Sequence, residues 1–369
     1  MKEITTFLFF ILCLQTQAQI TSQFVNTNDK QIDNAVAFYK SYLQEFENNH
    51  LPDYKKFWSS TDCEKYKTPD PIVYLISSDY PTYNYAQEKT IFYVRNHIGY
   101  VHLKTLLTNK DSLNNMCIIA ITNHYIEIDK NDNAVRFINP LEINKDLYRT
   151  TKNQDITYIY PKGIHFNKAK SDSLILKIRA FEKLWSFKPI AFEYYFTNTQ
   201  DELGALRGLD YFFGMEQSTA SGMTFCKDKI IYCNGNGEDY FHEVLHLYLN
   251  PLYENSPVNH GLIYYLGGSL GFSFDELINK MNLYLEKYPE TNLGDFETLK
   301  TKDIQLNIYN IVTGLISKII YEKEAVEGIK RLLKYKNIED IFQTEFHIEK
   351  QKWDRFLKTN FKKYNKPSK

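Results

Sequence analysis

The chemistry-bearing residues of this 369-residue chain gather in one stretch, "GNGEDYFHEVLHLYLNP", residues 235–251. His242 and His246 stand four positions apart, and Glu243 follows the first of them. The neighbours are apolar: Tyr240, Phe241, Val244, Leu245, Leu247, Tyr248 and Leu249. On an α-helix, residues four apart share a face, so both imidazoles can reach one ion. Glu243 projects beside that ion, where it can take a proton from a water that a metal has acidified. A catalytic zinc keeps three protein ligands and one open position, so the motif supplies two of the three. Apolar residues on every side predict a helix buried all round. A carboxylate in such a helix is costly without a partner. A metal with its water accounts for it, and two core histidines satisfied by hydrogen bonds are the plainer alternative. Glu238 and Asp239 are expected in the first turn, where negative charge suits the macrodipole. Asn250-Pro251 is expected to end the helix.

The third ligand must come from elsewhere. His246 is followed by "LYLNPLYENSP", which lacks the glycine and histidine that continue the motif in metzincins. The next suggestive stretch is "SPVNHGLIYYLGGS", residues 256–269. With the HExxH motif before it, this stretch resembles the gluzincin metallopeptidases, in particular the peptidase MA-like proteins. In that family a second helix opens with E-G-x-A-x-Y, whose glutamate is the third zinc ligand. Here His260-Gly261-Leu262-Ile263-Tyr264-Tyr265 lies over the pattern. Gly261 and Tyr265 match it, His260 replaces the glutamate, and Ile263 replaces the small residue. The resemblance spans roughly residues 155–345 and is specific only at these two motifs. It implies a zincin-like fold, a Zn2+ cofactor and hydrolysis of peptide bonds. Carried over by position, His242, His246 and His260 are the metal ligands and Glu243 the general base. Tyr264 is a candidate to polarise a substrate carbonyl or support a ligand, with core packing as its alternative, and Glu254 and Glu238 are alternative third ligands. Three neutral histidines would leave the ion its full double charge.

The elements that must position these residues follow from hydrophobic period. Ile32, Ala35, Val36, Tyr39, Leu43 and Phe46 recur at helical spacing. Short β-rich runs follow, among them "TIFYVRNHIGYVHLKTLL", "CIIAITNHYIEID", "NAVRFI" and "ITYIYP". From about residue 155 strands and helices alternate: a helix carries Leu174, Ile178, Phe181 and Trp185 on one face, then "PIAFEYYF" and an extended segment "MTFCKDKIIYCN" lead to the motif. Within that segment "KIIYCN" is expected to be the edge that holds a substrate strand in the implied fold. Ser273 with Glu276 is a capping box, and "IQLNIYNIVTGLISKIIYEKEAVEGIKRLLKY" reads as two helices. The expected fold class is α+β: a helix-plus-meander module over 19–154, a zincin-like α/β lobe over 155–271 and a helical lobe over 272–369.

Composition bounds the rest. A net charge of −1 with 24% charged residues gives no excess for nucleic acid or anionic lipid. The N-terminus, "MKEITTFLFFILCLQTQAQ", reads as a signal peptide over 1–18, with a short apolar run and cleavage after Ala18. Export to the periplasm or the extracellular space is therefore expected, with no membrane span. Cys63, Cys117, Cys226 and Cys233 remain; Cys226 and Cys233 either close a disulfide across a hairpin or stay as thiols. His97, His102, His124 and His165 are expected to be structural or exposed. Together these features point to an exported zinc metallopeptidase acting on a protein or peptide substrate. The alternatives are a non-catalytic binding or scaffold protein on the same fold, and a zinc hydrolase of cell-wall amides.

Overall fold

The structure, a computed structural model, describes residues 18–46, 50–75, 80–128, 134–213, 220–303 and 306–365. The expected signal segment, apart from Ala18, lies outside the described residues. Strands are numbered along the chain: β1 (Ala18–Thr21), β2 (Glu88–His97), β3 (Tyr100–Lys110), β4 (Met116–Ile128), β5 (Val135–Ile138), β6 (Tyr148–Asn153), β7 (Ile156–Pro161), β8 (Phe192–Thr197), β9 (Leu209–Phe212), β10 (Ser221–Phe225) and β11 (Ile230–Asn234). With helices interspersed and two mixed sheets, the fold class is α+β, as expected.

The chain divides into two compact units, Met1–Asn144 with Gly204–Met215, and Lys145–Leu203 with Glu216–Lys369. In the first, β1-β2-β3-β4-β5 form a sheet in that order and β9 joins β4. The helix Lys30–Glu45 presents the expected stripe, Ile32, Ala35, Val36, Tyr39 and Leu43, all buried. This stripe shares a core with Val101, Leu103, Leu107, Ala120 and Ile126 of the sheet. Alternate residues of β3 are buried because one sheet face meets that helix. A polar knot sits in this core. Asp70 accepts from Tyr42 Oη at 2.7 Å, Tyr83 Oη at 2.9 Å and Ile72 N at 2.9 Å, and Tyr83 Oη reaches His124 Nε2 at 2.9 Å.

The second unit carries the motif. Its sheet runs β10-β11-β8-β7-β6. β11, β8 and β7 are parallel, and β10 and β6 pair antiparallel at the two edges. The edge strand beside the motif is thus β10, and "KIIYCN" becomes β11, an interior strand. One core joins this sheet to the helices Lys168–Trp185, Phe241–Tyr253, Phe274–Lys287, Ile308–Leu332 and Trp353–Tyr364. Residues 155–271 and 272–369, expected as separate lobes, therefore share one hydrophobic interior. The division between units falls after Asn144 rather than after 154, because β6 pairs with β7. The capping box at Ser273 and Glu276 forms as expected. The run Ile308–Leu332 breaks at Ala325, whose φ of 50° departs from the helix, which makes the two expected segments. Among the described residues no helix is long and apolar enough to cross a membrane.

Burial alone raises the Asp70 carboxyl, but His124, the Ile72 N–H and Tyr42 outweigh it and hold it below the usual value. Its stabilising effect is therefore complete above the unfolded carboxylate range and is lost as pH falls through the lower folded value. Asp70→Ala strands three donors in the core and should cost on the order of 3 kcal/mol. A urea titration at neutral pH checks this; a loss near zero would show that the knot contributes nothing.

Candidate metal centre

The motif lies on the helix Phe241–Tyr253, in which His242, Glu243, Val244, Leu245, Leu247, Tyr248 and Leu249 are buried. Glu238 and Asp239 precede this helix instead of forming its first turn. Glu238 accepts from Asn167 N at 2.6 Å at the start of the helix Lys168–Trp185, and Asp239 pairs with Lys177 at 2.9 Å. Pro251 does not end the helix; it lies in the last turn, which continues to Tyr253. A proline removes only one intrahelical donor there, and Glu254 N still reaches Asn250 O at 3.0 Å.

The two imidazoles are oriented from outside. His242 Nδ1 lies 2.5 Å from the carbonyl oxygen of Gly268. A carbonyl only accepts, so His242 carries its proton on Nδ1 and turns Nε2 inward. The turn that presents this carbonyl needs glycine: Gly268 has φ +70°, and a Cβ there would collide with the carbonyl of Phe272. His246 Nδ1 lies 3.2 Å from Asn250 Oδ1, one helical turn on. Asn250 Oδ1 also accepts from Asn259 Nδ2 at 2.9 Å, across the loop to the helix Asn259–Gly267. The two Nε2 atoms then face each other at 3.2 Å. Burial, with the neighbouring imidazoles, pushes His242 down to about 3, and burial pushes His246 down to about 4. Both rings are neutral at pH 7 and can offer lone pairs.

Glu243 completes a group with His242 and His246 whose ligand atoms all lie within 4.8 Å, and this group could hold a metal ion. Its Oε1 is 4.0 Å from His242 Nε2, and its Oε2 accepts from Thr224 Oγ on β10 at 2.7 Å. Burial raises Glu243 to about 7, against the lowering effect of the Thr224 bond. β10 approaches so closely that a Cβ on Gly222 would overlap Glu243. Glycine at 222 therefore gives the carboxylate its room.

His260, in the first turn of Asn259–Gly267, packs its ring edge-on to His246 with centroids 5.2 Å apart. It lies beside the tight group, not in it, and reaches solvent. Tyr264 stands edge-on to His242 at 5.4 Å. Glu254 is exposed at the end of the motif helix, and Glu238 is committed to Asn167, so neither is brought to the group. Cys226 and Cys233 are both free thiols. The hairpin register sets Cys233 opposite Gly222, and Cys226 lies past the last pair, Phe225 with Ile230. Cys226 Sγ points to His246 O at 3.4 Å and Cys233 Sγ to Tyr194 Oη at 3.1 Å.

Thr224, Gly222, Asn250, Asn259 and Gly268 were not among the site residues expected from sequence. Of these only Asn250 carries a local signal, its place four residues beyond His246 on the helix. No protein-family model matches the chain, and no curated protein matches it.

In metal-free protein the folded Glu243 holds its proton to higher pH than the unfolded chain does. Its own contribution to native stability should therefore fall as pH rises from 4.5 towards about 7, opposite in sign to the contributions of the lowered His242 and His246. Chelator-treated Glu243→Gln should be more stable than wild type at pH 8 and equal to it near pH 4, read by thermal unfolding. A difference independent of pH would contradict this assignment.

Proposed function

We propose that the chain is a zinc-dependent hydrolase of peptide bonds, of the gluzincin type that its two motifs resemble. The observation that carries the reading is the pair of inward-facing Nε2 atoms 3.2 Å apart, each with Nδ1 committed outward. Two nitrogens bound about 2.05 Å from a tetrahedral zinc stand about 3.3 Å apart, so the residues fit the ion. His242 and His246 would hold it, and the resemblance assigns the third ligand to His260, whose ring packs against that of His246. When bound, zinc supplies a Lewis acid that acidifies water and polarises a carbonyl.

The chain's own residues do the rest. Glu243, beside the two histidines, would accept a proton from water and return it to a leaving amine. Thr224 holds its second oxygen, so the free Oε1 faces the histidines. β10 is a sheet edge, and an extended peptide can add to such an edge through backbone hydrogen bonds. Tyr264, whose ring packs edge-on to His242, is the candidate to donate to a carbonyl oxygen. With the N-terminal apolar segment, the reading places the activity outside the cytoplasm, on a protein or peptide substrate. A non-catalytic binding role for the same fold is favoured only by the histidine at position 260.

Glu243→Gln should retain zinc and lose about 10²–10⁴-fold in cleavage of denatured protein. Unchanged cleavage by this variant would overturn the proposal. Gly222→Ala should keep the fold and the zinc but slow cleavage by on the order of tenfold or more, because Glu243 must move. Parallel assays of zinc content and cleavage rate separate the two effects, and a Gly222→Ala protein as active as wild type would remove β10 from the account.

A further inference from the structure

Two neutral imidazoles that direct lone pairs at each other across 3.2 Å repel unless a cation or a proton lies between them. His242 cannot relieve this, because its Nδ1 proton is committed to the carbonyl of Gly268 and a carbonyl has no donor to exchange. His246 can. Its Nδ1 partner is an amide, and an amide turned by half a revolution offers N–H where it offered oxygen. The proton of His246 would then sit on Nε2 and donate to His242 Nε2, which closes the metal-free pair.

That turn cannot happen at Asn250 alone. Asn250 Oδ1 accepts from Asn259 Nδ2 as well, and Asn259 is fully buried. If Asn250 presents Nδ2, Asn259 must present its oxygen. The oxygen is available, since Asn259 Oδ1 is a buried atom with no hydrogen-bond partner in the protein. In the turned state the two N–H groups of Asn250 meet two acceptors, His246 Nδ1 and Asn259 Oδ1. In the state observed, its one oxygen meets two donors. Along the contacts among these three side chains each state pairs donors with acceptors, and in both the far end of the Asn259 amide is without a partner in the protein.

We propose that Asn250 and Asn259 are positioning residues that turn together and set which nitrogen of His246 carries the proton, and so whether the two histidines can bind a metal ion. The observed orientation is the metal-ready one. The turned orientation, with His246 donating to His242, belongs to the metal-free protein. The inference rests on the metal reading of the site and deepens it: metal uptake is coupled to the first residue of a second helix, which also carries His260.

Isosteric acids test this with opposite signs. An acid at 250 can only accept, so Asn250→Asp fixes the proton of His246 on Nδ1 and should tighten zinc binding by about 10-fold or more. An acid at 259 draws the N–H groups of Asn250 towards it, so Asn259→Asp stabilises the turned state and should weaken zinc binding by about 10–100-fold. A carboxylate near a cation acts by charge in the same direction from either position, so tightening by both, or no change in either, overturns the proposal while wild-type zinc binding leaves the site reading intact. A wild-type chain that takes no zinc overturns both. Where Asn259→Asp does not fold, the wild type alone decides. Long-range proton–nitrogen correlation spectra should show His246 protonated on Nε2 without metal and on Nδ1 after zinc is added. The Nδ1 form in both states would contradict the turn.

Discussion

Two imidazole nitrogens held face to face in a desolvated helix set the terms for everything around them. A buried helix gains from apolar side chains on every face, and the motif helix supplies them on nearly all. Against that background each polar group needs a partner within reach. His242 finds one in the Gly268 carbonyl, His246 in Asn250, and Glu243 in Thr224. Each partner lies on the side away from the shared space, so the inward-facing atoms are the ones left to chemistry.

Those partners come from three separate places: the sheet edge, the loop after the second helix, and the helix itself. The sheet brings β10 close enough for Thr224 to hold Glu243. The turn at Gly268 brings a backbone oxygen to His242 through a left-handed conformation that other residues adopt poorly. Behind them, one core joins the sheet and the helices as far as the C-terminal helix, so the site is set in a continuous packed interior. The raised Glu243 carboxyl and the lowered histidines are the electrostatic expression of the same burial.

The motif was legible in the sequence because its meaning is local: four residues on a helix fix a face. The helices Lys30–Glu45, Lys168–Trp185 and Phe274–Lys287 were legible for the same reason, through period and capping. The rest depended on contacts that spacing does not encode. β6, "YRTTKN", has no apolar run because it is an edge strand, so it reads as a loop and displaces the expected boundary. The hairpin of β10 and β11 turns through Lys229 at φ 54°, without the Asn-Gly or Asp-Gly that marks such turns, so in the sequence only the spacing of Cys226 and Cys233 hints at it. β9 is four residues long and pairs with a strand far back in the chain. Thr224 lies nineteen positions before Glu243 on another element, and nothing in its neighbours signals the bond.

The central claim is that His242 and His246 are metal ligands and not core histidines. Its most direct test is the zinc content of the purified full chain after loading and desalting, measured by mass spectrometry beside His246→Ala. About one zinc per chain in the wild type, lost in the variant, is the result the geometry requires. A wild-type chain that retains no zinc, or a variant that retains as much, would leave the two histidines as a hydrogen-bonded pair and contradict the account.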